Sequence, residues 1–294
     1  MKTKTPALII GPALGLLLAL MSHYATGSSL IRPADLEYKG AFRLPEVNGE
    51  CDWSYSGHAM TFHPDGDPNG DADGHPGSLF ATGNDAVCQH VAEINIPKPV
   101  ITTSKRLAKL PVAKTLQPFA DIRQGIFGPY ENLVLPRVGL AWLPAQGKQV
   151  SGKLYFTWAQ HLQDFEPSHG WSETNLTQPK TAGPWRFGRW SNYVSNDYQF
   201  EIPASWADRY APGHYLASGR SREGPWSGLG PALFASAPWK NGNPPAPKDR
   251  LRHIVPLLLY GEQVEGDSVI TGDPSKSYRN YGDSDHWWGG AWLT

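Results

Sequence analysis

Charge is scarce and balanced in this sequence: 26 Lys and Arg face 27 Asp and Glu, a formal net charge of -1. A nucleic-acid partner would favour a basic face, and an anionic membrane surface would favour a polybasic run, so neither is expected. Cysteine is almost absent, with only Cys51 and Cys88. No CxxC, no HExxH and no Gly-rich phosphate loop occurs, and the scattered histidines do not assemble a transition-metal site by spacing. Long apolar runs are missing too, apart from Ala7 to Met21. That run is shorter than the roughly 20 residues a membrane span needs and is broken by Pro12.

What precedes and follows this run gives it a meaning. Lys2 and Lys4 stand before it and small residues follow, the layout of a secretory signal with cleavage near Ala25 to Ser28. Residues 1–28 are therefore read as a signal peptide and 29–294 as the mature domain, secreted or periplasmic, with no membrane span. In an oxidising compartment the two cysteines favour a Cys51–Cys88 disulfide, the alternative being two separate buried thiols.

Gly 31, Pro 27 and Trp 12 are all high, and long alanine-, lysine- and glutamate-rich helical stretches are missing. Such a turn-rich, aromatic chain points to an all-β fold. Strand-like runs recur in order: GHAMTF (57–62), SLFATGN (78–84) and HVAEINIP (90–97), then GLAWLP (139–144), KLYFTWAQ (153–160) and NDYQFEIP (196–203). A third round begins with GPALFASAPW (230–239) and continues with RHIVPLLLY (252–260). EINIP and QFEIP share an isoleucine-proline exit, which stops a strand because proline cannot donate to the ladder. Gly-x-Ala-apolar openings at Gly57, Gly139, Gly230 and Gly289 suggest one supersecondary unit used repeatedly. Four-stranded units set around an axis are the blades of a β-propeller, and a β-sandwich with long loops is the alternative.

In the blade layout an outer strand lies near 106–116, and HYLASGR (214–220) closes the second blade. LEYKGAFRLP (36–45) alternates like a strand and is expected to serve the last blade. The chain ends at GGAWLT, within what reads as a further inner strand, so the ring is expected to be incomplete. The segments YKGAFRLP, GHAMTFHP, HVAEINIP, SGRSREGPWSGLGPALFASAPW and WWGGAWLT resemble parts of a group of uncharacterised exported bacterial proteins. That resemblance implies a propeller-like architecture and export, and it supplies no catalytic residues.

Two regions carry candidate chemistry. In HPDGDPNGDADGHPG the side chains of Asp65, Asp67, Asn69, Asp71 and Asp73 alternate with other residues. Short oxygen donors at this spacing suit calcium. The position where an EF-hand needs glutamate is Pro76, so the readings are a structural calcium-binding turn between strands or a solvated Asp/Asn/Gly turn. The second region is the face formed by loops that enter inner strands and by loops between second and third strands. It gathers Trp53, Trp171, Trp226, Trp287 and Trp288 with Asp85, His161, Arg222, Glu223, Asp285 and His286. Flat aromatics beside carboxylates and arginines suit sugars, whose C–H faces stack while their hydroxyls hydrogen-bond. Trp53, Trp171, Arg222, Trp226, Trp287 and Trp288 are thus candidate carbohydrate contacts, and Asp85, Glu223, Asp285 and His286 are candidate acid/base groups of a glycan-cleaving enzyme. Tryptophans at such positions are more often blade packing than ligand contacts. GRSREG is no nucleophile elbow, since Glu223 holds its fifth position.

Overall fold

The computed structural model describes residues 32–47, 49–55, 59–84, 87–128, 136–160, 167–190, 192–220, 232–240 and 247–259. The chain divides into a unit from Met1 to Glu37 and a unit from Tyr38 to Thr294. In the first, residues Pro33–Asp35 form one 3-10 turn, whose leading Arg32 N–H donates to Asp35 Oδ2 at 2.8 Å. All the strands among the described residues lie in the second. Among the described residues, no helix is long and apolar enough to cross a membrane.

The strands fall into three sheets. The first joins β1 (Met60–His63), β2 (Gly74–Thr82), β3 (Val91–Pro97) and β4 (Thr115–Ala120), with the short helical turn α1 (Gly70–Asp73) between β1 and β2. The second joins β5 (Pro136–Leu143), β6 (Lys153–Gln160), β7 (His169–Ser172) and β8 (Ala182–Phe187). The third begins with β9 (Tyr198–Glu201), passes through helix α2 (Ala204–Tyr210) to β10 (Leu216–Arg220), and continues to β11 (Ala232–Ser236). The chain then crosses to the edge of the second sheet, where β12 (Arg250–Leu251) pairs with β8 in parallel, and returns as β13 (Ile254–Leu259) beside β11. Within each sheet the consecutive strands are antiparallel, so the fold is all-β, with α1 and α2 its two short α-helices among the described residues.

The packing follows from alternation along β5 and β6. Leu140 and Trp142, with Leu154, Phe156 and Trp158, join Phe80 and Val91 of the first sheet in one cluster. The intervening Ala141, Leu143 and Tyr155 pack with Leu216 and Trp239 on the side of the third sheet. Successive side chains of a strand point to opposite faces, so this one segment supplies two cores. Each large side chain so buried contributes about 1.5–3 kcal/mol. A further cluster sets Trp185 and Phe187 of β8 against Ala232 and Phe234 of β11. Helix α2 packs Ala207 against Ile202, Ala217 and Ala235.

The first strands of the three sheets lie side by side, β1 next to β5 and β5 next to β9. The Trp142 N–H donates to Thr61 Oγ1 at 2.8 Å, and Thr157 Oγ1 donates to the Asn196 carbonyl at 2.8 Å. Gly139 permits the second approach, because a Cβ there would sit 2.5 Å from the Gln199 nitrogen.

Several expected assignments move. The third strand of the second sheet is His169–Ser172, not the 196–203 segment, which instead opens the third sheet as β9. HYLASGR therefore lies in the second strand of that sheet, and GPAL leads into its third strand. The Gly-x-Ala pattern does not mark one equivalent position, since it lies in β5, a first strand, but falls at β11, a third strand. Of its four glycines only Gly139 is among the described residues. The first sheet's outer strand is Thr115–Ala120, beginning later than expected. Residues 38–45 form isolated bridges, Ala41 to Val100 and Arg43 to Val112, beside the β3–β4 connection. Gly40, at φ +119°, allows this, since a Cβ would meet the Val100 backbone at 2.6 Å.

His169 ties this core to pH. It is buried, stacks on Phe187 at 4.5 Å between ring centroids, and lies 3.0 Å from Ser168 Oγ. Burial pushes its imidazole pKa down to about 3, against a smaller opposing effect of the Ser195 backbone. The folded state thus holds a neutral ring where the unfolded chain, at 6.5, binds a proton. Stability is fully present above that value and falls as pH drops toward 3, by at most about 1.4 kcal/mol per pH unit from this group. His169→Gln is expected to flatten the slope of urea-midpoint stability between about pH 6 and pH 4. An unaltered slope would mean that the ring does not govern it.

Candidate functional site

The loop before β1 and the β2–β3 connection meet at one end of the first sheet. Cys51 and Cys88 are joined there as the expected disulfide, with their Cα atoms 5.6 Å apart. Asn84 organises the backbone around them. Its N–H donates to the Asp52 carbonyl at 2.8 Å, and its own carbonyl accepts from the N–H groups of Cys88 and Gln89 at 3.1 and 3.0 Å. Next to it, the Gly83 N–H donates to the His90 carbonyl at 2.8 Å. A side chain at Gly83 would collide with the Phe119 ring and the Asp52 carbonyl, so the loops close only over glycine.

The strand ends add charge. Directly after β4, Arg123 is 7% exposed, and its Nε and backbone N–H both donate to Asp121 Oδ1, at 2.8 and 2.9 Å. Its Nη2 donates to the Cys88 carbonyl at 3.3 Å, and its guanidinium lies 5.6 Å from the Trp158 ring centroid. Trp158 Nε1 donates to Gln89 Oε1 at 2.5 Å, which links the ends of the first and second sheets. Burial would raise the Asp121 carboxyl, but the hydrogen bonds and charge of Arg123 outweigh it and hold the pKa below the usual carboxylate range. His90 is shifted down by burial, opposed by Asp121 and aided by Arg123. Asp52 is also held low, chiefly by the Ser54 N–H that donates to its Oδ1.

Of the residues expected to form a ligand face, Trp53 is half-buried here and packs on Phe119, with ring centroids 4.5 Å apart. Trp171 was expected in a loop, but it lies inside β7 opposite Tyr155, toward the other end of the sheets. Its ring packs with the clusters between the second and third sheets, and Lys153 Nζ lies 4.8 Å above it. Asp85, His161, Arg222, Glu223, Trp226, Asp285, His286, Trp287 and Trp288 lie outside the described residues. Gln89, His90, Asp121, Arg123 and Trp158 were not singled out from sequence. The Asp121-x-Arg123 spacing just past a strand was the available signal for two of them.

The acidic turn lies at the opposite end, between β1 and β2. Asp65 and Asn69 are exposed, whereas Asp67 is 8% exposed. Its Oδ1 accepts from the Asn69 N–H at 2.9 Å, and its buried Oδ2 has no hydrogen-bond partner among the described residues. Asp71 and Asp73 belong to α1, so the turn contains a helical segment that its sequence did not suggest. Their side chains lie outside the described ones. Beneath the turn, Glu93 accepts from the Ser78 hydroxyl and from Gln117 Nε2 at 2.6 Å, with His63 Nδ1 at 3.2 Å. Burial alone would raise the Glu93 pKa; the bonds from His63, Ser78 and Gln117 together lower it.

No family model, characterised protein or solved structure matches the chain.

The disulfide spans a sequence separation of 37 residues. In the chain-entropy account a loop of that length corresponds to about 4 kcal/mol, with measured values commonly about 2–4. Replacing both partners, Cys51→Ala with Cys88→Ala, is expected to lower the urea-unfolding free energy within that range. A midpoint matching the parent's would show that the clip adds no stability.

Proposed function

We propose that this chain is an exported, propeller-like binding protein whose carbohydrate site lies at the end of the sheets carrying the Cys51–Cys88 rim. Among the described residues, three successive sheets of four, five and four strands with adjoining first strands support blades, where a sandwich would have two sheets. The disulfide fits an oxidising compartment. The observation that carries the site is the convergence of loops: the disulfide joins two loops of the first sheet, and the Trp158–Gln89 bond brings the second sheet's end to them. In sequence Arg222, Glu223 and Trp226 follow β10, and the later sequence adds Asp285, His286, Trp287 and Trp288. Aromatic faces stack on sugar C–H groups, and guanidinium and carboxylate groups fix hydroxyls.

A glycan array with the exported protein is expected to yield a binding saccharide, and Trp226→Ala to weaken it by about tenfold or more, as for a buried aromatic anchor. Product release lost on Glu223→Gln or Asp285→Asn would make the protein a glycan-cleaving enzyme. Retention of no glycan, with capture of envelope proteins in its place, would replace the reading with that of an interaction scaffold.

At the other end we assign the acidic turn a structural calcium ion, supported by the buried, unpartnered Oδ2 of Asp67. A carboxylate oxygen withdrawn from water without a donor costs several kcal/mol unless a cation stands opposite it. Calcium at about 100 times its Kd would add about 2.7 kcal/mol. The melting temperature is expected to rise with calcium over chelator, and Asp67→Asn to abolish the difference while raising the melting temperature in chelator. Coincident parent curves would leave only a solvated turn.

A further inference from the structure

We propose that Cys51, Cys88 and His90 form a redox-gated site for a thiophilic metal ion, closed as a disulfide and opened to zinc or a similar ion when the bridge is reduced. The donor atoms of the three residues all lie within 4.8 Å of one another, and all three residues are half-buried, so an ion can reach them. A tetrahedral zinc site takes sulfur at about 2.3 Å and imidazole nitrogen at about 2.0–2.1 Å, which sets its donors about 3.5–4 Å apart. Reaching that spacing requires the two sulfur atoms to part from their bond while His90 stays within the present 4.8 Å. The Cα separation of Cys51 and Cys88, 5.6 Å, need not change.

What makes this more than a broken disulfide is the backbone beneath it. Asn84 and Gly83, at the end of β2, hold the Cys88 and Gln89 N–H groups and the His90 carbonyl, and Arg123 holds the Cys88 carbonyl. The Asn84 N–H binds the Asp52 carbonyl, which fixes the chain next to Cys51. None of these bonds uses a sulfur atom. The three donors therefore stay gathered after the S–S bond is cut. Asp52 supplies negative charge nearby, while the Arg123 cation is already engaged by Asp121.

The chemistry balances in two steps. A dithiol reductant gives two electrons and two protons to the bridge, leaving Cys51 and Cys88 as thiols and itself as a disulfide. Zinc then displaces both thiol protons, binds two thiolates and the unprotonated His90 nitrogen, and keeps its fourth position for water. The rim would thus exchange a covalent clip for a coordinate one. This inference is independent of the carbohydrate reading.

The test uses the full mature chain reduced by a phosphine, which becomes a phosphine oxide with oxygen from water. Titration with cobalt is expected to saturate at one ion per chain, with a thiolate-to-cobalt charge-transfer band and the intense visible bands of a tetrahedral ion. Zinc should displace the cobalt, and the oxidised chain should show neither band. His90→Ala and His90→Gln should each weaken cobalt by about tenfold or more while the thiol count remains two. Circular dichroism follows folding throughout. Equal affinity of parent and His90 variants, whether the reduced chain is folded or unfolded, would overturn the proposal, as would the absence of a charge-transfer band.

Discussion

The structure depends on the burial of both faces of the second sheet. Along β5 the residues Leu140, Ala141, Trp142 and Leu143 go alternately to the first-sheet cluster and to the third-sheet cluster. A slip of one residue would exchange the two sets, sending Trp142 toward the Ala141 position and leaving alanine where the indole fills space. Register is therefore specified by two cores at once. The same constraint explains Gly139 and Thr157. Where β5 meets β9 there is no room for a Cβ, and the buried Thr157 hydroxyl accepts from the Gly139 N–H while donating to the Asn196 carbonyl.

Strands covered on both sides must also carry their polar groups inside. In β3, Glu93 and Asn95 alternate with Ala92 and Ile94, and all four are buried. Glu93 remains soluble in this interior because Ser78, Gln117 and His63 surround its carboxylate. Gln117 in turn binds the Thr174 carbonyl and accepts from the Leu176 N–H, so the network reaches the β7–β8 connection. Gly66 lies directly over it, where a side chain would collide with the Ser78 hydroxyl. The conformation of the acidic turn is thus set from below, by a buried network, as well as by its own aspartates.

The sequence made β1, β2, β3, β5 and β6 legible because their apolar content is dense and proline or glycine bounds them. The disulfide was legible because two cysteines in a chain read as exported favour pairing with each other. The phase of the second sheet was not. HGWS is short, and AGPWRF carries Gly183 and Pro184 within β8, features that usually argue against a strand. Burial of His169 and Trp185 overrides that local preference. The shared Ile-Pro exits of β3 and of the segment after β9 then suggested equivalent positions that topology does not give them. At the rim, charged residues after a strand carry no periodic signal, so the reach of Arg123 to Cys88 and Trp158 emerges only once the sheet is folded.

The two ends of the first sheet are held by different kinds of force, which bears on where function can vary. The rim has three restraints: the disulfide, the Asn84 backbone hub, and the Arg123 clamp on Asp121, Cys88 and Trp158. No donor or acceptor atom is shared between the hub and the clamp, and neither needs the sulfur atoms. Loss of one restraint therefore leaves strand ends aligned by the others. Loops that spring from such a platform can change in length and chemistry without disturbing the strands, the usual basis for placing recognition on loops. At the acidic end, by contrast, the turn sits on the buried Glu93 network, and changes there reach the core. A variable ligand is better accommodated at the rim, and a fixed structural ion at the turn.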